Sequence, residues 1–429
     1  MHKLRENEPL KVERHEKYDK LSLVSWTRSL NSDEWGYFAS YKIGAEWVDN
    51  EEALIVTAKR GMENIDFLGM FMTCFSSNLA LESFSKIYSI DYDKPSINAP
   101  SLKGVLSPLI MLHFLGVIGR IKTLKRGYVH HSENLKKVKG YIAILKNERN
   151  NILQKRYDRI YCEYDEYSAD IPENRLLKKA LLFVRRMMQN MGDGHRSYDN
   201  INLAIRKSLA LFENVSDEVN LKEVSQIKAH KLFKEYAEAI RLSKLILRHF
   251  DYSINKVSAT EEQVVPFVLD MSLLYEHYVY GLLYEAYQNK ITYQYSSLTG
   301  KPDFLYHSQS FKAILDTKYI PKYENQKLDT DVVRQLSGYS RDLKILKYLG
   351  YEDVSEEAPL PNVPCVIIYP EEGGEKNNPF LNISLKKLCS KSVGGLALFY
   401  KIAISVPTLK EKIFIIMADT HLQVNTDGT

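Results

Sequence analysis

The pattern of apolar and polar positions around residue 310 predicts a β-hairpin. Two runs, Phe304–His307 and Phe311–Leu315, are rich in aromatic and aliphatic residues, and the polar segment Ser308–Ser310 separates them. Runs of this kind on either side of a short polar segment are typical of two antiparallel strands joined by a turn. We therefore expect the second run to fold back on the first.

The open end of this hairpin carries charged residues. Folding the two runs together places Asp303 beside the end of the partner strand, close to Asp316. Because strand residues two apart share a face, Asp316 and Lys318 project together, whereas Thr317 points to the other face. The pattern therefore predicts that two carboxylates and one lysine meet at the end of the hairpin.

The segment before the hairpin is predicted to be a helix that runs from Asp270 to Glu285. Asp270 is a suitable N-cap, and the apolar residues recur with the spacing of one helix face, as in Leu274, Tyr278 and Leu282. Glu276 lies off this stripe, among aromatic residues. It is either a residue of the site or an ordinary solvated helix glutamate.

A second helix is predicted after the hairpin, over Asp329–Arg341. Gln335 and Tyr339 are one turn apart in it and share a face, and Gln335 is either near the site or a surface amide. The continuous apolar run Pro364–Tyr369 is typical of a central strand that is buried on both faces. Two last strands are predicted, Leu396–Ser405 and Lys412–Met417.

The first part of the chain is predicted to be rich in strands. Its short β-prone runs are separated by polar turns: Leu23–Thr27, Tyr37–Tyr41 and Ala53–Thr57. The segment from Phe67 to about Tyr88 has helical character. The apolar run Leu106–Ile118 is too short to span a bilayer, so we expect a buried helix there.

Taken together, these elements predict an α/β protein, α+β overall, in three domains. Residues 1–105 form a β-rich N-terminal domain that is a candidate for docking a partner. Residues 106–255 form a mostly helical, basic middle region. Residues 256–429 form a C-terminal domain in which helices flank a mixed sheet around the hairpin.

Composition and charge place the chain among ordinary globular proteins. It has 429 residues, of which 45% are hydrophobic and 26% charged, and its formal net charge is +4. The four cysteines lie far apart, which indicates neither a zinc site nor a disulfide framework. The charged N-terminus lacks the apolar core of a signal peptide. We expect a cytoplasmic protein that makes no contact with a membrane.

One segment is locally basic. Between Arg120 and Arg156 there are eleven Lys and Arg residues against two Glu. Such a cluster is able to neutralise nucleic-acid phosphates, to face an acidic protein, or simply to form a solvated surface. The sequence favours none of these three over the others.

The charged end of the hairpin suits metal-assisted hydrolysis of a phosphodiester. Carboxylate oxygens hold Mg²⁺ (or Mn²⁺), which keeps several waters and meets phosphate oxygens. The ion polarises the phosphate and lowers the pKa of a bound water. Lys318 is then available to orient that water or to balance charge in the transition state. The alternative to a catalytic site is a purely structural interpretation: a Pro-Asp turn and an edge strand whose Asp and Lys are solvated.

Several motifs in this sequence resemble a known family. Pro302-Asp303 followed by Asp316-Thr-Lys318 on the next strand resembles the PD-(D/E)XK nuclease superfamily. Upstream, three segments follow one another in the order seen in the McrC family, the nuclease subunits of McrBC-type modification-dependent restriction systems: Leu124–Val129, Glu133–Ile142 and Cys162–Lys178. Together with the hairpin and its two helices, the resemblance runs from about Arg120 to Tyr369. Asp165, Glu166 and Asn174 fall within it and are predicted to be structural, or to join the two halves of the chain, and not to be catalytic.

The resemblance implies roles for the residues at the hairpin. Asp303 and Asp316 are the expected metal ligands, and Glu276 on the preceding helix supports a metal. Lys318 orients the attacking water or stabilises transition-state charge, and Gln335 assists.

The resemblance also implies partners. These are double-stranded DNA as substrate and an McrB-like AAA+ GTPase that recognises modified DNA. The sequence leaves open whether two copies of the chain must meet, as a homodimer, to cut both strands. The sequence contains no Walker A pattern, Gly-x-x-x-x-Gly-Lys-Ser/Thr, so nucleotide hydrolysis would have to come from another chain.

Two other interpretations remain open at this point. The first keeps the enzyme class without the partner, as a stand-alone PD-(D/E)XK nuclease in defence or repair. The second is an inactive scaffold that binds DNA or regulates a GTPase.

Overall fold

The protein is described by a computed structural model. It covers residues 1–28, 34–74, 86–191, 197–219, 234–250, 263–320, 328–351, 354–355, 357, 359–371 and 378–408. The chain separates into two compact units, one of Met1–Leu109 with Thr260–Thr429 and one of Ile110–Ala259. The first and third predicted domains thus fall in one compact unit, and the division into three functional domains stays a prediction.

The strands are numbered in chain order. They are β1 His2–Arg5, β2 Pro9–Leu10, β3 Val24–Arg28, β4 Trp35–Ala39, β5 Lys42–Trp47, β6 Ala53–Thr57, β7 Tyr88–Ile90, β8 Ile97–Asn98, β9 Gly127–Leu135, β10 Tyr141–Ile142, β11 Ile160–Ser168, β12 Gln263–Val264, β13 Phe267–Asp270, β14 Ile291–Tyr293, β15 Phe304–His307, β16 Lys312–Thr317, β17 Cys365–Glu371 and β18 Phe399–Ser405.

The α-helices are numbered in the same way. They are α1 Glu16–Asp19, α2 Phe67–Cys74, α3 Lys103–Arg120, α4 Ile144–Asn147, α5 Pro172–Met191, α6 Ser197–Leu211, α7 Lys234–Phe250, α8 Met271–Tyr287, α9 Thr330–Tyr339, α10 Leu343–Tyr348 and α11 Leu385–Leu388. Among the described residues, no helix is both long and apolar enough to cross a lipid bilayer.

The predicted hairpin lies inside a mixed sheet. Among the residues that the structure describes, this sheet has five strands in the order β14-β15-β16-β17-β18. β14, β15 and β16 pair antiparallel, whereas β16, β17 and β18 pair parallel. β17 is buried over nearly its whole length, as its apolar run predicts. The prediction of a mixed α+β fold is confirmed.

Helices cover both faces of this sheet. Leu305 and Ile314, which are cross-strand partners, pack in one apolar cluster with Leu336 of α9 and Ile345 of α10. Phe304, the next residue along β15, stacks on Tyr280 of α8 at a centroid distance of 5.9 Å. Because neighbouring strand residues point to opposite faces, α8 covers one face of the sheet and α9 with α10 the other.

A second sheet in the same unit, here called the N-terminal sheet, combines strands from the first 90 residues with β13, which directly precedes α8. Within the described residues its strand order is β1-β6-β5-β13-β7, and a three-stranded sheet β2-β4-β3 lies in the same unit. Leu54, Val56 and Val268 share an apolar cluster with Tyr37. β13 ends where α8 begins, so the helix that carries Glu276 starts from the N-terminal sheet.

α8 also packs closely on α2. A Cβ atom at Gly281 would lie 2.1 Å from the backbone oxygen of Thr73, so only glycine allows this approach. The predicted helical segment from Phe67 to Tyr88 is confirmed for Phe67–Cys74, but its end is wrong because Tyr88 begins β7. β7 pairs with β13, and this distant partner decides its conformation.

The unit of residues 110–259 contains helices and one small sheet. β9 and β11 pair antiparallel along their full lengths, with β10 beside β11. This long strand pair has no counterpart in the prediction of a mostly helical middle region. Asn174 of α5 is fully buried and donates to the backbone oxygens of Lys125 and Ala169, which agrees with its predicted structural role.

Other predicted elements agree with the structure where it describes them. The helix predicted from Asp270 is α8, and Asp270 caps it by accepting a hydrogen bond from the backbone N–H of Leu273 at 3.0 Å. The buried helix predicted at Leu106–Ile118 is confirmed within α3. The predicted strand Lys412–Met417 lies outside the described residues.

Candidate active site

The register of the hairpin brings its acidic residues together. Phe304 of β15 pairs with Leu315 of β16. Asp303 precedes Phe304 and Asp316 follows Leu315, so in an antiparallel pair these two residues take adjoining positions. The geometry predicted for the open end of the hairpin is therefore present.

The carboxylate of Asp303 is held by the neighbouring strand. Its Oδ2 accepts hydrogen bonds from the backbone N–H of Thr317 at 2.7 Å and from the Thr317 hydroxyl at 2.6 Å. Burial raises the pKa of Asp303 above its ordinary value, although these two hydrogen bonds and the charge of Lys318 oppose the shift. Asp303 is thus fixed in position by the residue between Asp316 and Lys318.

Asp316 and Lys318 form an ion pair. Asp316 is only 1% exposed, and its Oδ2 lies 2.6 Å from Lys318 Nζ. The Lys318 ammonium group therefore offsets the charge of this buried carboxylate. Burial and the nearby charge of Asp303 raise the pKa of Asp316 to about 7. Burial acts to lower the pKa of Lys318, but the carboxylates of Asp316 and Asp303 outweigh it and raise that pKa.

Glu276 of α8 is the third acid of the site. It is 8% exposed, and its Oε1 accepts a hydrogen bond from the Gln294 amide at 2.9 Å. Burial, followed by the charge of Asp303 and more weakly that of Asp316, raises the pKa of Glu276 to about 7. Gln294 also donates its backbone N–H to the backbone oxygen of Asp303 at 2.9 Å, so Glu276 and Asp303 share a hydrogen-bonded neighbour. Glu276 is therefore buried and is not a solvated glutamate, and its role in the site stays a prediction.

Gln335 occupies a different position. Its side-chain amide donates to the Tyr339 hydroxyl at 3.0 Å, and that hydroxyl donates to the backbone oxygen of Lys301 at 3.3 Å. Tyr339 lies near enough to Lys318 to affect its pKa. Gln335 is itself exposed and is linked to the site through Tyr339. Its catalytic role stays a prediction.

Three residues around the acids have no predicted role. Thr317, which strand alternation places on the opposite face, holds Asp303. Gln294 bonds Glu276 through its side-chain amide. Its backbone N–H donates to the backbone oxygen of Asp303 at 2.9 Å. Tyr293 lies near Glu276. Burial, and then the charge of Glu276, raises the pKa of Tyr293. For Thr317, its place between Asp316 and Lys318 is the sequence feature from which a contact with the acids could have been predicted.

The acidic residues fit a magnesium ion. Within the described part of the chain, no three His, Cys, Asp or Glu side chains already form a metal-binding group. Mg²⁺ does not require one, because it is usually held by one or two protein carboxylates and completes its shell with water and substrate phosphate. The carboxylates of Asp303 and Asp316, which adjoin at the end of the hairpin, are ligands of this kind. A divalent cation would also offset the carboxylate crowding that raises these pKa values.

The raised pKa values predict how the metal-free protein responds to pH. Burial and the neighbouring carboxylates raise the pKa of Glu276 and of Asp316 to about 7 in the folded protein, from ordinary values of 4.5 and 3.8. Between about pH 4 and about pH 7 the folded protein therefore binds protons that the unfolded chain has lost, and the free energy of unfolding falls as the pH rises. We expect a lower melting temperature at about pH 8 than at about pH 5 in EDTA, measured by differential scanning calorimetry.

A variant isolates the contribution of one carboxyl. Glu276→Gln keeps the hydrogen-bonding capacity but does not titrate, so the difference in melting temperature between the two pH values should shrink. Mg²⁺ should stabilise the wild type more at the higher pH, where the ligands are ionised. A pH dependence that is identical in wild type and Glu276→Gln would contradict this account.

The family of the chain follows from comparison with known proteins. A family model described as "McrBC 5-methylcytosine restriction system component" matches residues 96–344, more than half of the chain. The chain belongs to this family. The match includes β15, β16, α8 and α9, and it confirms the family resemblance seen in the sequence.

Solved structures from the McrBC family are also similar to this chain. One is the refined half-complex from a tetradecameric assembly of Thermococcus gammatolerans McrB AAA+ hexamers with bound McrC, with 13% identity, a TM-score of 0.36 and coverage of 98% of this chain and 99% of that chain. Another is the cryo-EM structure of the Thermococcus gammatolerans McrBC complex, with 12% identity, a TM-score of 0.29 and coverage of 66% and 86%. A search among curated proteins found no match.

Proposed function

We propose that this chain is the nuclease subunit of a McrBC-type restriction system and hydrolyses DNA phosphodiester bonds with Mg²⁺. One observation carries the proposal. Asp303, Asp316 and Lys318 converge at the end of one hairpin, with Glu276 of the neighbouring helix close to the two aspartates. Membership of the McrBC family supports a role in restriction.

In this proposal the site residues have two roles, metal binding and positioning. Asp303 and Asp316 would hold the metal, with Glu276 as a supporting carboxylate. When bound, Mg²⁺ polarises the scissile phosphate and lowers the pKa of a water molecule. Thr317 and Gln294 hold Asp303 and Glu276 in place, so the carboxylates need little rearrangement.

Lys318 supplies positive charge at the reacting phosphate. Its ammonium group lies 2.6 Å from the Asp316 carboxylate, and its side chain is 24% exposed. The carboxylates keep it protonated, so it donates hydrogen bonds and does not serve as a base. We assign it to orienting the attacking water and stabilising charge on the phosphate in the transition state.

Membership of the family supports a proposal for the substrate and the partner. We propose double-stranded DNA containing 5-methylcytosine as substrate and an McrB-like AAA+ GTPase as partner. The family description names that base, and the similar solved structures contain McrB and McrC together. The chain lacks a Walker A pattern, which is consistent with nucleotide hydrolysis by another subunit. Cleavage of both strands would require two copies.

A reconstitution tests this proposal. The chain is purified with the AAA+ protein encoded beside it and incubated with methylated and unmethylated plasmid, GTP and either Mg²⁺ or EDTA. We expect cleavage only with methylated plasmid, GTP, Mg²⁺ and both proteins. Cleavage by this chain alone would support a stand-alone nuclease. Stimulated GTP hydrolysis without any cleavage would support the inactive scaffold.

A further inference from the structure

Two buried charged residues, Lys59 and Glu6, form a cluster at Tyr319, just beyond the end of β16. Lys59 follows β6 and is only 9% exposed, and its Nζ donates to the backbone oxygen of Tyr319 at 2.9 Å. The same ammonium group lies 3.2 Å from the centroid of the Tyr319 ring. Tyr319 is the residue after Lys318, so a cation from the N-terminal part of the chain holds the peptide next to the catalytic lysine.

Glu6 completes this cluster. It is 3% exposed, and its Oε2 accepts hydrogen bonds from the backbone N–H of Lys59 at 3.0 Å and from the Tyr319 hydroxyl at 3.4 Å. Burial raises the pKa of Glu6 to about 7, and the charge of Lys59 opposes this shift. Burying a charge of each sign is costly unless each finds a partner, and here both Lys59 and Glu6 bond to Tyr319.

The cluster contacts the chain just beyond the point where β16 stops pairing with β17. The last hydrogen bond that ties the strand end to β17 is donated by the Lys318 N–H to the oxygen of Ile368 at 2.9 Å. Beyond it, the Lys59 ammonium supports Tyr319. The Tyr319 ring also packs on that of Tyr275 at a centroid distance of 5.8 Å, and Tyr275 precedes Glu276 on α8. Tyr319 therefore connects the end of β16, next to Lys318, with α8, which carries Glu276.

We propose that Lys59 and Glu6 are positioning residues, which hold Tyr319 and through it the Lys318 side chain in the geometry that cleavage requires. The inference rests on the proposed nuclease function. It assigns to the N-terminal strands a direct part in preparing the C-terminal site. Displacement of a catalytic group by about 1 Å costs about a hundredfold in rate, so a loosened Tyr319 should slow cleavage.

The test removes both charges together. Lys59→Met alone would remove the nearby positive charge that favours ionised Glu6, which would threaten folding, so we choose the double variant Glu6→Gln/Lys59→Met. We expect its single-turnover cleavage rate at saturating DNA and Mg²⁺ to fall at least about tenfold, with the Kd for DNA unchanged. Lys3→Met, an exposed lysine of β1, is the matched control and should cleave like the wild type.

A double-mutant cycle separates positioning from general damage. If Lys59 and Glu6 act through Lys318, adding their double variant to Lys318→Met should slow the reaction no further. Full additivity of the two losses would overturn the proposal, as would a folded double variant that cleaves at the wild-type rate.

Amide hydrogen exchange gives a second readout that needs no activity. The peptide covering Asp316–Ile320 should exchange faster in the double variant than in the wild type or Lys3→Met. Unchanged exchange would overturn the positioning role even if cleavage is lost. If no form cleaves DNA but this peptide exchanges faster, the proposed nuclease function fails while the structural link to Tyr319 stands.

Discussion

Replacing Asp316 by Asn is expected to abolish DNA cleavage while leaving the protein folded. The amide has nearly the shape of the carboxylate but is a much poorer ligand for Mg²⁺. Metal stabilisation of the transition state is worth several kcal/mol, and each 1.36 kcal/mol is tenfold in rate, so we expect a loss of about a thousandfold or more. Because Asp316 is buried with a raised pKa, removing its charge should not lower the melting temperature.

The measurement is single-turnover cleavage in the reconstituted system, with the melting temperature of each variant recorded in EDTA. Asp331→Asn is the matched control, since Asp331 is a 93% exposed aspartate of α9. It should cleave at the wild-type rate. Retention of wild-type cleavage by Asp316→Asn would show that the site lies elsewhere.

Replacing Lys318 by Met is expected to have the second largest effect. Methionine keeps much of the apolar stem but removes the ammonium group that lies 2.6 Å from Asp316. If Lys318 stabilises charge on the reacting phosphate, the rate should fall by about a hundredfold to a thousandfold, the usual cost of losing one such donor. The affinity for Mg²⁺ should be equal or higher, because a competing cation has left the carboxylates.

Isothermal titration with Mg²⁺ and single-turnover cleavage distinguish these two effects. Lys312→Met, at the other end of β16, removes a lysine whose Nζ donates to the Gly350 oxygen instead of facing the acids. We expect wild-type cleavage from it. A Lys318→Met protein that loses Mg²⁺ binding in proportion to its activity would mean that Lys318 maintains the metal site and takes no part in the chemical step.

The sequence was sufficient to predict the elements that depend on local pattern. The hairpin, its register, the helix capped by Asp270 and the buried strand β17 all follow from periodicities of two or 3.6 residues. Asp303, Asp316 and Lys318 could be placed together for this reason. They belong to one hairpin, and alternation along paired strands decides which side chains share a face.

Contacts between distant segments were decided only by the tertiary structure. Whether Glu276 was solvated or buried near the aspartates depended on how α8 packs, since a helix period does not specify its neighbour. The joining of β13 to the N-terminal sheet, and the bond from Lys59 to Tyr319 across 260 positions, have no local signal. Such contacts arise because apolar faces must be buried together and buried charges must find partners, and that choice is made by the whole fold.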